Sequence, residues 1–416
     1  MKKLVFLLLT LAVFLSDISC SSPRYEDNAA SFLFNPETDA DNRYLNAPCC
    51  ITELDNAFIW HDYKSGYFYY YDKTSGDSGV LCNKPECEHN SNDCGGAPSA
   101  VPVVWQYDGK LYWLLSRTGK EKRDIYRMNP DSSEKELFMT IPEPESDGML
   151  LVRTFFHRGK VFLEWRGKMV RGGVPMERYR LTVCDYETHD ASKQKPVLEF
   201  EAFDSLSGNV LAYCAGDKLY LLSNHTGEEY EIIIWEYDIN EEQLSVVADI
   251  PADDDEFYTR SFKVTPEGDI YVGQLGFYEE HITKAYKIED NQLVDFMAFE
   301  DDDFNGGTVF VCDEVIIAVR FISEDSPEHR VWVKDYDGNT VYKGELTANF
   351  GKGDTLPLIH MGFEYTGADR SRILFMVREL RGTSSTVEIV YFIEYDITES
   401  GLVEKTLVRS ELGTGS

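Results

Sequence analysis

Basic residues are scarce in this chain. Its 416 residues hold 40 Lys and Arg against 73 Asp and Glu, a formal net charge of −33. Phosphate backbones are gripped by Lys and Arg patches, so a chain this acidic is not built to hold nucleic acid. Long apolar runs are scarce too. The one at the N-terminus, from residue 4 to residue 15, has Thr10 as its only polar member and is too short to span a bilayer as a mature helix. No other segment is long and apolar enough to cross, so any membrane attachment would be through lipid. Familiar catalytic signatures are missing as well: there is no G-x-S-x-G elbow, no H-E-x-x-H pair, no P-loop and no G-x-G-x-x-G turn. Ser75-Gly76-Asp77-Ser78-Gly79 bears only a superficial likeness to a sialidase Asp box, and the eight histidines are scattered singly. At 43% hydrophobic and 27% charged residues, the composition excludes collagen-like, wholly disordered and polytopic membrane classes.

The N-terminus reads as an export signal over residues 1–20. Lys2 and Lys3 precede the apolar run, and small residues follow it. Cys20, between Ser19 and Ser21, stands where a bacterial lipoprotein signal places its lipid acceptor, although Asp17 occupies the position that normally holds Leu. Ordinary cleavage near residues 19–22 is the alternative, and both put the mature protein outside the cytoplasm. Residues 21–50 are polar and read as a tether.

From residue 51 to the C-terminus one pattern recurs. A polar turn launches an aromatic or aliphatic strand, and a second strand follows toward a Tyr-Asp-like step. The launch markers Phe58, Tyr112, Phe162, Tyr220, Tyr271, Ile316 and Leu374 are 45 to 58 residues apart. Second landmarks at Asp72, Asn129, Asp185, Asp238, Glu289, Asp335 and Asp396 fall 14 to 23 residues after each marker. Period-2 alternation and enrichment in Tyr, Phe, Val and Ile argue for strands, and each unit has room for four. In the second unit they are expected at 101–107, 110–116, 124–128 and 136–141. Repetition of a four-stranded antiparallel unit at this period predicts an all-β chain forming a single β-propeller of about seven blades, with six or eight also compatible. Two packed β-sandwiches are the rival architecture.

In a propeller the connections between successive blades gather on one face. Acids recur there: in 142–147, in 199–204, at Asp253, Asp254, Asp255 and Glu256, and at Glu300, Asp301, Asp302 and Asp303. Solvated acidic surface accounts for such runs. So does an acidic mouth that attracts a basic partner or gathers calcium, although the D-x-[DN]-x-[DN]-G order of a calcium loop is missing. The connection after the first unit differs. Cys82, Cys87, His89 and Cys94 form C-x4-C-x-H-x4-C, a donor set that suits one structural zinc ion with no open position for water. Disulfide pairing and free thiols fit the same residues, particularly in an exported protein. Of the nine cysteines, Cys184, Cys214 and Cys312 lie in strand-like runs and are expected to be buried free thiols, which leaves the vicinal pair Cys49 and Cys50 beside Cys20 and the three of the loop.

A lipoprotein-like signal, a tyrosine-rich first blade ending in Leu81-Cys82 with Pro85, Cys87 and His89 following, and a propeller-like body together resemble uncharacterised exported lipoproteins of gram-positive anaerobic bacteria. The resemblance implies a surface propeller and supplies no activity and no catalytic residue. Tyr67-Phe68-Tyr69-Tyr70-Tyr71, Trp60, Trp105 and Trp113 could stack on sugar rings, but strand-core packing explains aromatics of this kind more simply. The expectation is therefore a lipid-anchored, non-catalytic binding or scaffold protein that meets a protein or carbohydrate partner on its acidic loop face. The alternative is an exported carbohydrate-active enzyme, a glycoside hydrolase or polysaccharide lyase, with paired carboxylates at the channel mouth.

Overall fold

The computed structural model describes residues 34–46, 51–62, 65–91, 94–96, 104–116, 122–142, 148–202, 210–225, 230–251, 258–276, 281–323, 326–346, 358–382 and 386–413. Their strands form seven four-stranded antiparallel sheets in chain order, and the protein is a seven-bladed β-propeller. Blade 1 is β1 (Ile51–Glu53), β2 (Ala57–Asp62), β3 (Tyr67–Asp72) and β4 (Ser78–Val80). Blade 2 is β5 (Val104–Tyr107), β6 (Lys110–Ser116), β7 (Lys122–Met128) and β8 (Glu136–Pro142). Blade 3 is β9 (Met149–His157), β10 (Lys160–Arg171), β11 (Val174–Asp185) and β12 (Lys195–Ala202). Blade 4 is β13 (Val210–Ala215), β14 (Lys218–His225), β15 (Tyr230–Asp238) and β16 (Gln243–Pro251). Blade 5 is β17 (Tyr258–Val264), β18 (Ile270–Leu275), β19 (Thr283–Glu289) and β20 (Gln292–Phe299). Blade 6 is β21 (Thr308–Val311), β22 (Val315–Ser323), β23 (Ser326–Asp335) and β24 (Thr340–Leu346). Blade 7 is β25 (Leu358–Ala368), β26 (Arg372–Gly382), β27 (Thr386–Thr398) and β28 (Gly401–Gly413).

The launch turns do what their chemistry dictates. Asp108-Gly109 and Arg158-Gly159 put both central residues at positive φ, 48° and 65° in the first and 43° and 73° in the second. That is the tight hairpin geometry whose twist matches the flanking strands. Both faces of each sheet are then buried against neighbours. Between blades 6 and 7, Val315, Ile317, Val331 and Val333 interleave with Ile373, Phe375, Val377 and Ile393, all fully buried.

Every described sheet uses consecutive strands, so no strand from one chain end completes a blade at the other. The seam between blades 7 and 1 closes through side chains instead. Ile51, Phe58 and Trp60 pack on Leu374, Val390, Phe392, Leu407 and Val408, with the Phe58 and Phe392 rings edge-to-face at 5.4 Å.

Residues 34–46 correct the expected tether: they belong to the folded body. They run into the channel past the inner strands and include one helical turn, α1 (Asn42–Leu45), whose start is capped by the Asp41 side chain. Asn42 and Asn46 each exchange two hydrogen bonds of 2.7–2.8 Å with the inner edge of β13, at Cys214 and Ala212 respectively. The spacing explains the fit. Four helical residues rise about 6 Å and two strand residues about 6.8 Å, so the two amide side chains meet alternate backbone groups of an otherwise uncovered edge. A polar segment is thus held against the sheet because a strand edge needs partners; Asp39, Ala40, Tyr44 and Leu45 are buried, while residues 34–38 and Asn46 stay exposed. Residues 21–33 and 47–50, with Cys20, Cys49 and Cys50, lie outside the described residues.

Candidate metal centre and the plugged channel

The Cys-His loop leaves blade 1 directly after β4. Leu81 donates its N–H to the Phe68 carbonyl at 2.8 Å, and Phe68 donates its own to the Gly96 carbonyl at 2.7 Å. Both ends of the loop therefore attach to one residue of β3. Short backbone turns, Cys87 N–H to Lys84 O and Cys94 N–H to Ser91 O at 3.1 Å each, turn the side chains inward. A Cβ on Gly96 would collide with the Leu81 carbonyl, so only glycine allows the chain to return this closely. As a result, the ligand atoms of Cys82, Cys87, His89 and Cys94 all lie within 4.8 Å of one another, and His89 Nδ1 is 3.3 Å from Cys94 Sγ.

These distances suit one metal ion. Bond lengths of about 2.3 Å to sulfur and 2.05 Å to nitrogen at a tetrahedral angle put neighbouring ligand atoms about 3.6–3.8 Å apart. A disulfide would put two sulfurs about 2.05 Å apart, and Cys82, Cys87 and Cys94 are free thiols. Burial tends to raise the pKa of Cys82, but the backbone N–H groups of Lys84 and Gly95 and the neighbouring thiols bring it below the ordinary range. Burial pushes the Cys94 thiol up to about 11. The loop thus already holds one sulfur toward the thiolate that a metal needs. Cys184, Cys214 and Cys312 are buried and not disulfide-bonded, as expected.

The second feature is the channel itself. Residues 37–39 meet its hairpin-turn end: Asp108 and Arg158 donate their N–H groups to the carbonyls of Glu37 and Thr38, and the Arg158 guanidinium binds Asp39 at 2.9 Å. His157 is buried, which holds its imidazole down to about 4. In its neutral form its Nδ1 accepts from Ala40 N–H at 3.2 Å, and its Nε2 lies 2.8 Å from the Gly216 carbonyl. The segment leaves two cavities beside it. One of about 340 Å³ includes Trp105, Glu53, Lys73, Arg43 and Arg372 in its wall. The other, of about 430 Å³, includes Tyr213, Lys263, Asp313 and Asp369.

Charges around the first cavity neutralise one another. Glu53 is buried and bonded to Arg43 at 2.6 Å, Lys73 at 2.5 Å and Arg372 at 3.2 Å. Burial alone would raise its pKa, yet these cations take it below the ordinary carboxylate range. It is therefore ionised at neutral pH and does not serve as a proton donor there. Arg372 is shared further with Asp369 at 3.3 Å and Glu394 at 3.2 Å.

The expected acidic face is only partly visible. Asp253, Asp254, Asp255 and Glu256, and 143–147, lie outside the described residues. Glu199 and Glu201 sit inside β12 rather than in a connection, bound to Arg178 and Arg180 and to Arg171 respectively. Glu300 is exposed. Beside it, Asp301 takes the Lys343 ammonium at 2.6 Å, Asp303 pairs with Arg330, and the Asp302 carbonyl accepts from Arg320 at 2.6 Å. Among the described residues, the Cys-His cluster is the one group of three or more His, Cys, Asp or Glu ligands that converges. Trp60 and Trp113 are core residues, stacked on Tyr69 and Tyr126. Sequence reasoning missed Glu53, Arg43, Lys73 and Arg372, which come from three separate segments and carry no motif.

No protein-family model matches the chain, and no curated protein matches it. Solved structures do. A ulvan lyase from a polysaccharide lyase family aligns over 89% of this chain and 95% of its own at 11% identity and a TM-score of 0.50. The neighbours share the propeller fold. They include the propeller domain of the trilobed protease from Pyrococcus furiosus (11% identity, 85% of this chain and 91% of that one, TM-score 0.41). A 6-phosphogluconolactonase-like protein from Bacteroides uniformis aligns at 11% identity over 86% and 99% of the two chains, with a TM-score of 0.44. Among the described residues no helix is long and apolar enough to cross a membrane.

Proposed function

We propose that this is an exported propeller, tethered to the cell membrane by lipid on Cys20, that binds a protein or carbohydrate partner without turning it over. In this reading it also carries one structural zinc ion on Cys82, Cys87, His89 and Cys94. The observation that carries the binding role is the plugged channel. Residues 34–46 lie along the inner strands and leave cavities of about 340 and 430 Å³ beside them, and Glu53, in the wall of the first, is committed to three cations. The zinc assignment is supported by a closed three-sulfur, one-nitrogen donor set.

The plug also orients the molecule. Residues 37–39 meet the hairpin-turn end of the channel, while Asn46 reaches Ala212 deeper inside. In this reading the lipid tether joins the described body at residue 34, on the hairpin-turn side, and the interblade connections, including 300–305, are the partner-binding face. The net charge of −33 favours a basic or neutral partner over nucleic acid.

The test uses the full chain expressed in a bacterium that processes lipoproteins. Cys20→Ala should release the protein into the medium, and Glu300→Lys with Asp302→Lys should abolish partner capture on cells and on a glycan panel. Release of unsaturated or reducing sugars from a uronate polymer would replace binding with catalysis in the cavity beside Glu53. Retention of the Cys20→Ala protein at the membrane would remove the lipid tether.

A further inference from the structure

We infer that the metal ion replaces a missing length of outer strand in blade 1 and latches that blade to blade 2. The inference rests on the zinc reading above and assigns the ion its task.

Strand lengths carry the argument. β4 has three residues, whereas the outer strands of blades 2 to 7 have 7, 8, 9, 8, 7 and 13. β4 pairs only with Tyr69, Tyr70 and Tyr71 of β3. At Phe68 the edge of β3 would be left open. The loop closes it instead: the Phe68 carbonyl accepts from Leu81, just before Cys82, and its N–H reaches Gly96, just after Cys94. One residue of β3 is thus held by the two ends of a single loop. A link between those ends would hold both bonds together, since the loop has no sheet of its own. Four ligand atoms converging at the neck of the loop supply that link.

The same neck touches the next blade. Asn83 donates its N–H to Ser132 Oγ at 2.9 Å, in the turn between β7 and β8, and a Cβ on Gly95 would run into that Ser132 side chain. Phe68 itself, 1% exposed, packs edge-to-face on Trp113 of blade 2 at 5.6 Å. Opening the loop would therefore loosen an interblade contact as well as a strand edge. Blade 1 borders the seam that no exchanged strand closes, so the ion, by tying blade 1 to blade 2, holds one of the two blades at that seam.

Hydrogen exchange on the zinc-loaded full chain, with native mass spectrometry on the same samples, separates the outcomes. A chelator should strip one zinc ion and speed exchange of the Phe68 and Leu81 amides by about 100-fold, with blades 4 to 6 unchanged. Cys87→Ser should reproduce this. His89→Cys, which keeps four ligands, should not. If zinc is bound and removed yet blade 1 exchanges as before, or all blades loosen equally, the latch is wrong and the zinc assignment stands. If the isolated protein holds no metal after zinc loading, the zinc assignment and the latch fall together. Chelation of the unmodified chain decides the matter even if the Cys87→Ser variant does not fold.

Discussion

Blades 1 and 7 are neighbours across the seam, yet they are held together by different means. The strands of blade 7 run 11, 11, 13 and 13 residues, and those of blade 1 only 3, 6, 6 and 3. Blade 7 stands on apolar area: Ile373, Phe375, Val377 and Ile393 vanish into blade 6, each burial worth about 2 kcal/mol. Blade 1 buries apolar side chains too, Phe58 and Trp60 toward blade 7 and Ile59 and Phe68 toward blade 2, but on shorter strands. It adds directed ties: the Glu53 cluster to Arg43 and Arg372, the Cys-His loop bonded to Phe68, and Lys405 of blade 7 lying 5.4 Å over the Tyr71 ring. A sheet of short strands can keep its place in the ring when charges and loop contacts hold its edges as well as its core.

Three substitutions probe that contrast. The largest effect belongs to the apolar side: Phe375→Ala should cost about 4 kcal/mol in denaturant unfolding, because it empties a filled site between two blades. A cost below about 1 kcal/mol would mean that blade 7 is not held by its core. On the charged side, Glu53→Gln should cost about 3 kcal/mol by leaving three cations around a neutral amide. Its pH signature follows from the lowered carboxylate pKa. The stability Glu53 contributes is fully present above the ordinary carboxylate range and is lost as pH falls through its lower folded value. Melting curves of the unmodified chain should therefore drop more steeply on acidification than those of Glu53→Gln, and parallel curves would show that the cluster contributes nothing. The smallest effect is expected at the half-exposed rim of the seam. Lys405→Met gives up a 3.5 Å ion pair with Glu394 and the ring contact, for less than about 1 kcal/mol in thermal unfolding.

Much of the architecture could be read along the chain because its causes are local. In blade 2 the expected strands 110–116, 124–128 and 136–141 meet β6, β7 and β8 to within two residues at each end, since alternation and Gly-containing turns act within a few residues. The fourfold Cys-His spacing was equally visible. The acids at Glu199 and Glu201 misled because their polarity suggested a connection, whereas they are paired in register with Arg180 and Arg178 of the neighbouring strand. Asn42 and Asn46 gave no signal, since a polar stretch rich in Asp and Asn has the composition of a linker.

The sequence by itself determined a repeat of about fifty residues with room for four strands in each unit, the turns between them, and a set of soft ligands within one loop, all through interactions between residues close in the chain. Only the tertiary structure decided that Asn42 would pair with Cys214, 172 residues away, that Glu53 would meet Arg372 across 319, and that the ligand loop would seal β3 against blade 2. Those contacts depend on closing the ring, which brings unpaired edges and buried charges from distant segments into reach, where leaving them unsatisfied would cost more than ordering a polar segment between them.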